Sequence, residues 1–351
     1  MIEHFYCPVC SASDWRPVEH FRFFRASEGK WRRSVTKLLR LIEVFFLNGP
    51  SRRSLRGEVS PNKTSMAKSE VFFDIWFKDA DTVAISSIYC LHCGFACFSP
   101  RPDTQDIDAK YRHLSRLEKN PPSSKRSYFS SPQAIDGRQR RLNQLLSAYL
   151  PDKTSDILDF GGGQGRLIVP FSAAGHRCYL IEYGDYALPG ITYLGASLAD
   201  IDPETQYDLI VCSHVLEHVA EPVHILKRLG EHLTPNGKIY VEVPLEIYGC
   251  IRIENDPVTH VNFFTPNSLE NVVQGAGLQT VRRCVERVTY TNSEIDAVWI
   301  LAQPCVSASV RPPITSDIAD YLHPGRKRLL RRYATQIATF LGLRRRAWPG
   351  L

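Results

Sequence analysis

No apolar run in this 351-residue chain approaches the length that crosses a bilayer, and its start, Met1-Ile-Glu-His4, lacks the basic-then-apolar pattern of a secretory leader. The expectation is a protein of the reducing cytosol. Charge of one sign is in short supply too: 43 Lys and Arg against 37 Asp and Glu leave a formal net charge of +6, informative only where basic residues cluster. The nucleotide fingerprints are missing as well. A Gly-x-Gly-x-x-Gly motif begun at Gly161 would need Gly or Ala where Arg166 stands, and no P-loop Gly-Lys-Ser/Thr follows. Dinucleotide and P-loop chemistry are thereby set aside. Ten cysteines in so long a chain without a leader do not read as a disulfide framework. Cys178, Cys212, Cys250 and Cys284 are expected to behave as small buried hydrophobes.

What the chain does contain is Asp156-Ile-Leu-Asp-Phe-Gly-Gly-Gly-Gln-Gly165. Ile157, Leu158 and Phe160 are the apolar run of a buried parallel strand, Asp159 sits near its carboxyl end, and Gly161, Gly163 and Gly165 allow turns and close approach before a helix. Open α/β sheets bind ligands at such an end. A helix over 166–174 closed by Gly175 leads to a second strand, Cys178–Glu182, and a carboxylate at Glu182 suits the two hydroxyls of a ribose. A third strand covers 191–194. Tyr207–His214 makes a fourth strand that runs into Val215-Leu-Glu-His218, and Lys238–Pro244 a fifth after the turn Thr234-Pro-Asn-Gly237. Further on, Thr265 is a helix N-cap with Pro266 at the first helical position. Strands around 281–290 and 297–303 complete the set.

The acid-x-Gly-x-Gly-x-Gly loop, the Val-Leu-Glu-His passage and the His260…Phe264-Thr-Pro passage resemble the class I S-adenosylmethionine-dependent methyltransferases. That resemblance implies a Rossmann-like α/β fold with a seven-stranded sheet flanked by helices, its last pair antiparallel. It implies that the loop wraps the amino-acid end of S-adenosylmethionine with Asp159 near the ammonium group. The cofactor set is then Asp159, Gly161, Gly163, Gly165, Glu182 and Ser213. The family often has an acidic residue after the third strand, where this chain has Gly195-Ala-Ser-Leu198, so the adenine contact stays unassigned. A hydroxyl acceptor must lose its proton, and an imidazole suits that task. His260 is the first candidate base and His218 the second, either of which would otherwise be a structural histidine.

Cys7-Pro-Val-Cys10 and Cys90-Leu-His-Cys93 have the two-residue spacing of zinc knuckles, and two knuckles complete a tetrahedral site. Structural Zn2+ on Cys7, Cys10, Cys90 and Cys93 is expected, with His92 and Cys97 as substitute ligands. The passage from Cys90 to Pro102, followed by Asp106 and Tyr111, resembles the N-terminal zinc-binding module of bacterial methyltransferases of sugar and polysaccharide pathways. The division expected is a zinc-ribbon-like module over 1–103, a helical linker over 104–150, the methyltransferase domain over 151–305 and a basic helical tail over 306–351. Within the module an insertion, about residues 16–85, carries Phe21-Arg-Phe-Phe-Arg25. It continues as apolar positions 31, 35, 38, 39, 42, 45 and 46 at helical spacing, and then as a mobile polar loop over 51–68. The helix would lie on a membrane surface, cover an anionic substrate, or simply pack on the main domain.

Taken together, these features point to O-methylation of a nucleotide- or lipid-linked sugar or glycan intermediate, with the basic segments touching a membrane surface peripherally. Nucleic acid is the less favoured partner. An RNA-modifying methyltransferase and a cofactor-binding scaffold without catalysis are the alternatives.

Overall fold

The computed structural model describes residues 1–2, 5–25, 31–35, 63–119, 132–184, 186–247, 251, 257–290, 293–305 and 314–323. The basic aromatic stretch Phe21–Arg25 is part of a strand, and the start of the helix expected from Trp31 is a strand as well. In β1 (Trp15–Arg25), Phe21 and Phe23 are buried while His20, Arg22 and Arg25 are exposed, the period-two alternation of a sheet with one wet face. Residues Trp31–Val35 form β2, antiparallel to β1 with Phe21 opposite Val35. Trp31 and Val35 satisfy a helical spacing equally well, and pairing with β1 decides the matter. The rest of the expected helix, 36–46, lies outside the described residues. The expected loop over 51–68 is also corrected: Lys63–Glu70 is a helix (α1) running into a wider helical turn, Val71–Trp76, that buries Val71, Phe72, Phe73 and Trp76. Residues 51–62 are not described.

Then come β3 (Thr82–Cys90), β4 (Ala96–Ser99), α2 (Thr104–Lys119) and α3 (Pro132–Leu146). The strand into the glycine loop is β5 (Asp156–Phe160), followed by α4 (Val169–Ala173), β6 (Arg177–Ile181), β7 (Ile191–Gly195) and β8 (Tyr207–Ser213). Next are α5 (Pro222–Glu231), β9 (Leu233–Pro244), a two-residue β10 (Asn262–Phe263) and α6 (Pro266–Gly275). The chain continues with β11 (Leu278–Tyr290), β12 (Ser293–Pro304) and α7 (Ile318–Leu322). The expected turn at 234–237 falls inside β9. Tyr207 pairs with Leu233 and Leu209 with Lys238, so these residues bulge from the ladder rather than precede it. Thr265 caps α6 as expected, accepting from the Ser268 amide.

The larger sheet has the order β11-β12-β9-β8-β5-β6-β7, parallel from β9 to β7 and antiparallel across β9, β12 and β11. After β5 the chain winds outward through β6 and β7, then returns to β8 on the other side of β5. That reversal opens a crevice at the carboxyl ends of β5 and β8. The smaller sheet is antiparallel, with the order β10-β4-β3-β1-β2, and its edge strand β10 comes from the segment between β9 and α6: Asn262 pairs with Cys97. One apolar core accordingly runs from Phe23, Phe72 and Phe98 through Phe95 and Phe264 to Val241 and Val243. The opposite face of the large sheet is covered by α3 and α4, with Leu142, Leu146 and Phe171 on Ile157, Leu209 and Trp299.

Helix α3 also brings charge into the interior. Glu242 on β9 is fully buried, and Arg138 and Arg141 reach it from α3; the Tyr240 hydroxyl donates to it at 2.7 Å and the Ser213 hydroxyl at 3.0 Å. Arg141 bridges on to Glu286. Removing one partner of a buried ion pair leaves an uncompensated charge, at a cost of about 3 kcal/mol or more. Arg141→Met is therefore expected to lower the unfolding free energy from denaturant titrations by that amount, and Arg283→Met, at a pair with Glu270 whose arginine is exposed, by less than about 1 kcal/mol.

Candidate active site

The glycine loop leaves β5 at the crevice. Gly161, Gly163 and Gly165 all have φ between +63° and +77°, the left-handed region that side-chain-bearing residues rarely enter. Gly162 is needed for a different reason: a Cβ there would overlap the Asp159 carboxylate lying beneath it. Asp159 is fully buried, and neither oxygen has a hydrogen-bond partner. Burial first, then the charge of Glu182, pushes its carboxyl up to about 7. A buried carboxylate without donors is poised for a cation. Glu182 follows β6 directly, accepting from the Gly163 amide at 2.7 Å and from the Tyr183 amide at 3.0 Å. Tyr111 of α2 stacks against Tyr183 with ring centroids 4.9 Å apart, so the N-terminal half of the chain reaches the mouth of this loop.

The raised Asp159 value carries a prediction. Because the folded state holds this proton more tightly than the ordinary carboxylate value of 3.8, stability falls as pH rises from about 4 to about 7, by up to about 4 kcal/mol. Asp159→Asn is expected to raise the melting temperature of the ligand-free protein at pH 8 and to change it little at pH 4. Melting curves at the two pH values check this.

A Cβ on Gly161 would meet Val215, so the loop abuts the turn that follows β8. At that exit the Ser213 hydroxyl is engaged by Glu242 and Arg138. His214 has φ +59°, and its Nδ1 lies 3.2 Å from Glu217 Oε1. The short helical turn Leu216–His218 then presents Glu217, 1 % exposed, and His218. His260 arrives from more than forty residues away, its ring centroid 4.8 Å from that of His218. The structure thus brings both candidate bases together beside the glycine loop. His218 Nδ1 donates to the Thr259 carbonyl at 2.6 Å; burial, assisted by His260 and Lys110 and opposed by Glu217, pushes its pKa down to about 3. His260 Nδ1 pairs with Glu246 at 2.7 Å; burial opposes its protonation, but Glu246 outweighs burial and raises its pKa.

The segment carrying His260 is clamped from three sides. Val261 N–H donates to the Glu217 carbonyl at 2.8 Å, and the Asn262 amide donates to the Leu216 and Val219 carbonyls at 2.6 and 2.7 Å. Lys110, 3 % exposed, donates to the Val258 and Thr259 carbonyls at 2.8 and 3.2 Å. Arg101, also buried, donates to the Ala220 carbonyl at 2.5 Å. Neither Lys110, Glu246 nor the Arg138–Glu242 pair stood out in the sequence, and Arg101 and Asn262 did so only as members of longer passages. Their partners lie 14 to 160 residues away, a distance at which no local pattern signals contact.

Where β3 ends, in the smaller sheet, Cys7, Cys10, Cys90 and Cys93 converge, all four sulfurs within 4.8 Å of one another. The knuckles share one backbone turn. Ser11 N–H donates to the Cys7 carbonyl at 2.9 Å and Gly94 N–H to the Cys90 carbonyl at 3.0 Å, each from a residue of positive φ. Four thiols at one point, with soft sulfur donors and no other ligand type, fit a tetrahedral zinc ion. His92 is instead exposed and paired with Asp14, and Cys97 is buried in β4 outside the cluster.

Residues 135–283 match the family model for a methyltransferase domain. Curated relatives include the ubiquinone biosynthesis O-methyltransferases of Rickettsia akari (strain Hartford), 25% identical over 29% of this chain and 49% of the relative, and of Rhodopseudomonas palustris (strain BisB5), 28% identical over 35% and 57%. The chain spans about half the length of the curated relatives it matches. Among solved structures, the 1,6-didemethyltoxoflavin-N1-methyltransferase of Burkholderia thailandensis is similar with a TM-score of 0.47 and 16% identity, over 62% of this chain and 98% of that one. The strand order and the family match agree on a Rossmann-like methyltransferase fold.

Proposed function

We propose that this chain is an S-adenosylmethionine-dependent O-methyltransferase, with Asp159 and Glu182 holding the cofactor and the Glu217, His218 and His260 cluster receiving the acceptor. The observation that carries the reading is the pair of carboxylates on either side of the glycine loop, at the crevice between β5 and β8 and against the turn that bears His218. Asp159, buried and without donors, suits the ammonium of the cofactor's amino-acid end. Glu182 suits its ribose hydroxyls, exchanging the Gly163 and Tyr183 amides for them or sharing them. Held by Asp159 and Glu182, S-adenosylmethionine would supply a methyl group open to in-line displacement by the acceptor oxygen, with the thioether as leaving group. Alignment supplies much of the acceleration. The hydroxyl proton goes to Nε2 of His260, because Nδ1 of that ring is held by Glu246 and a raised pKa strengthens the base.

Transfer to oxygen is supported by the similarity to the ubiquinone biosynthesis O-methyltransferases. The finer assignment, a sugar or glycan acceptor linked to a nucleotide or lipid, rests on the four-cysteine cluster with its module, which the resemblance ties to sugar and polysaccharide pathways. Structural zinc on that cluster, a cytoplasmic location and peripheral contact of basic segments with a membrane surface belong to the same reading. No described helix is long and apolar enough to cross a membrane. Calorimetric titration of S-adenosylmethionine into zinc-loaded protein tests the cofactor assignment, and absence of binding heat would sink it. Mass-spectrometric gain of one methyl group on glycan, quinol-precursor and RNA acceptors separates the substrate classes. Steep loss of binding with salt would favour RNA.

A further inference from the structure

We propose that Glu217, His218 and His260 form a divalent-cation site at the acceptor end of the crevice, separate from the four-cysteine cluster. The carboxylate and the two imidazoles offer donor atoms that all lie within 4.8 Å of one another. Proximity alone would mean little, but the hydrogen bonds decide which ring atoms are free. The Thr259 carbonyl can only accept, so His218 Nδ1 carries the proton and Nε2 keeps a lone pair, 3.8 Å from Glu217 Oε1. The Glu246 carboxylate does the same for His260, taking Nδ1–H and leaving Nε2 as a donor atom. Metal-binding histidines are oriented in this way, one ring N–H on a carbonyl or carboxylate and the other nitrogen on the ion.

The third ligand gives an independent reason. Glu217 is 1 % exposed and neither of its oxygens accepts a hydrogen bond, although it sits in the interior where an ionised carboxylate needs compensation. The positive neighbour closest to it is His214, at 3.2 Å. A protonated His214 is the rival to a bound cation. The ligands are also held in place before any ion arrives: the Val261, Asn262 and Lys110 clamps tie the two loops together through backbone groups. One carboxylate and two imidazoles suit Mn2+, Fe2+ or Zn2+ and leave coordination positions open. Given the methyl-transfer reading, on which only this role rests, the cation would bind the acceptor hydroxyl and lower its pKa. His260 would then be a ligand, and the proton would pass to solvent; with the cluster empty, His260 is the base.

The test is Mn2+ titration of the full chain holding one zinc ion, on its four cysteines, with excess zinc removed, followed by electron paramagnetic resonance, since the hard Mn2+ ion competes poorly for a tetrathiolate site. One bound Mn2+ per chain is expected, with nitrogen couplings from imidazole in the pulsed spectrum of the unaltered protein. Glu217→Gln and His260→Ala should each weaken binding at least about tenfold, and His92→Ala, on the exposed surface, should change nothing. An unchanged free-Mn2+ signal, binding without nitrogen couplings, or equal affinity in Glu217→Gln would overturn the proposal and leave His214 as the counterion. Calorimetry with S-adenosylmethionine on the same sample keeps the two readings apart, because cofactor binding without Mn2+ binding defeats only the cation site, and Mn2+ binding without cofactor defeats only the methyltransferase.

Discussion

Glu182→Ala is expected to weaken S-adenosylmethionine binding by about a hundredfold or more, while His260→Ala leaves that affinity nearly unchanged and removes turnover. The first effect follows from the loss of charge-assisted hydrogen bonds, each worth about 1.5–3 kcal/mol. It has a second component in the ligand-free protein, because Glu182 also ties down the Gly163 amide at 2.7 Å and with it the centre of the glycine loop. Glu182→Gln, which keeps the shape and one acceptor, should fall between the two. For His260 the expected drop in kcat is about 10²- to 10⁴-fold, the usual worth of a general acid–base group. Calorimetry and single-turnover methyl transfer measured on both variants separate the roles. If His260→Ala lost cofactor affinity as well, the cluster would not be the acceptor end of the crevice.

Stripping the four-cysteine cluster should be as severe for a different reason. Structural zinc in small folds contributes about 10–16 kcal/mol, and here the cluster joins the first turn of the chain to the β3–β4 hairpin through Cys7, Cys10, Cys90 and Cys93. β4 in turn pairs with Asn262, two residues beyond His260, and the Arg101 guanidinium grips the Val261 carbonyl at 3.4 Å. Chelation, or Cys90→Ser, is therefore expected to melt the smaller sheet ahead of the larger one and to lower turnover at least about tenfold, while the glycine loop still binds cofactor. Two separate calorimetric transitions, the lower one dependent on zinc, would show this. A single unchanged transition after zinc removal, confirmed by atomic absorption, would mean the thiols hold no structural ion.

Both expectations use residues that the chain displays openly together with residues that it hides. The Asp159–Gly165 loop, Glu182, the Val215–His218 turn and the two Cys-x-x-Cys pairs are short-range patterns: a strand meeting three glycines, or two thiols at knuckle spacing, announces its chemistry within ten residues. The parallel strands of the large sheet were legible for the same reason, since each is an apolar run bounded by turn residues. The stretch Trp31–Val35 was not. Its apolar positions suit a period of 3.6 and a period of two alike, and only the register of Phe21 against Ile85 and Val35 selects the strand.

The sequence by itself therefore determined a glycine loop with its two carboxylates, a sheet built around it and four thiols of metal-binding form, because those features are local and each residue's backbone or donor chemistry suffices to define them. Tertiary structure alone decided the rest. It set Gly162 over a buried Asp159, joined β10 to the smaller sheet, and brought Glu217, His218 and His260 to one point through the Lys110 and Asn262 clamps. Those are contacts between segments up to 160 residues apart. What makes each of them form is the burial of a shared core, which no single stretch of the chain contains.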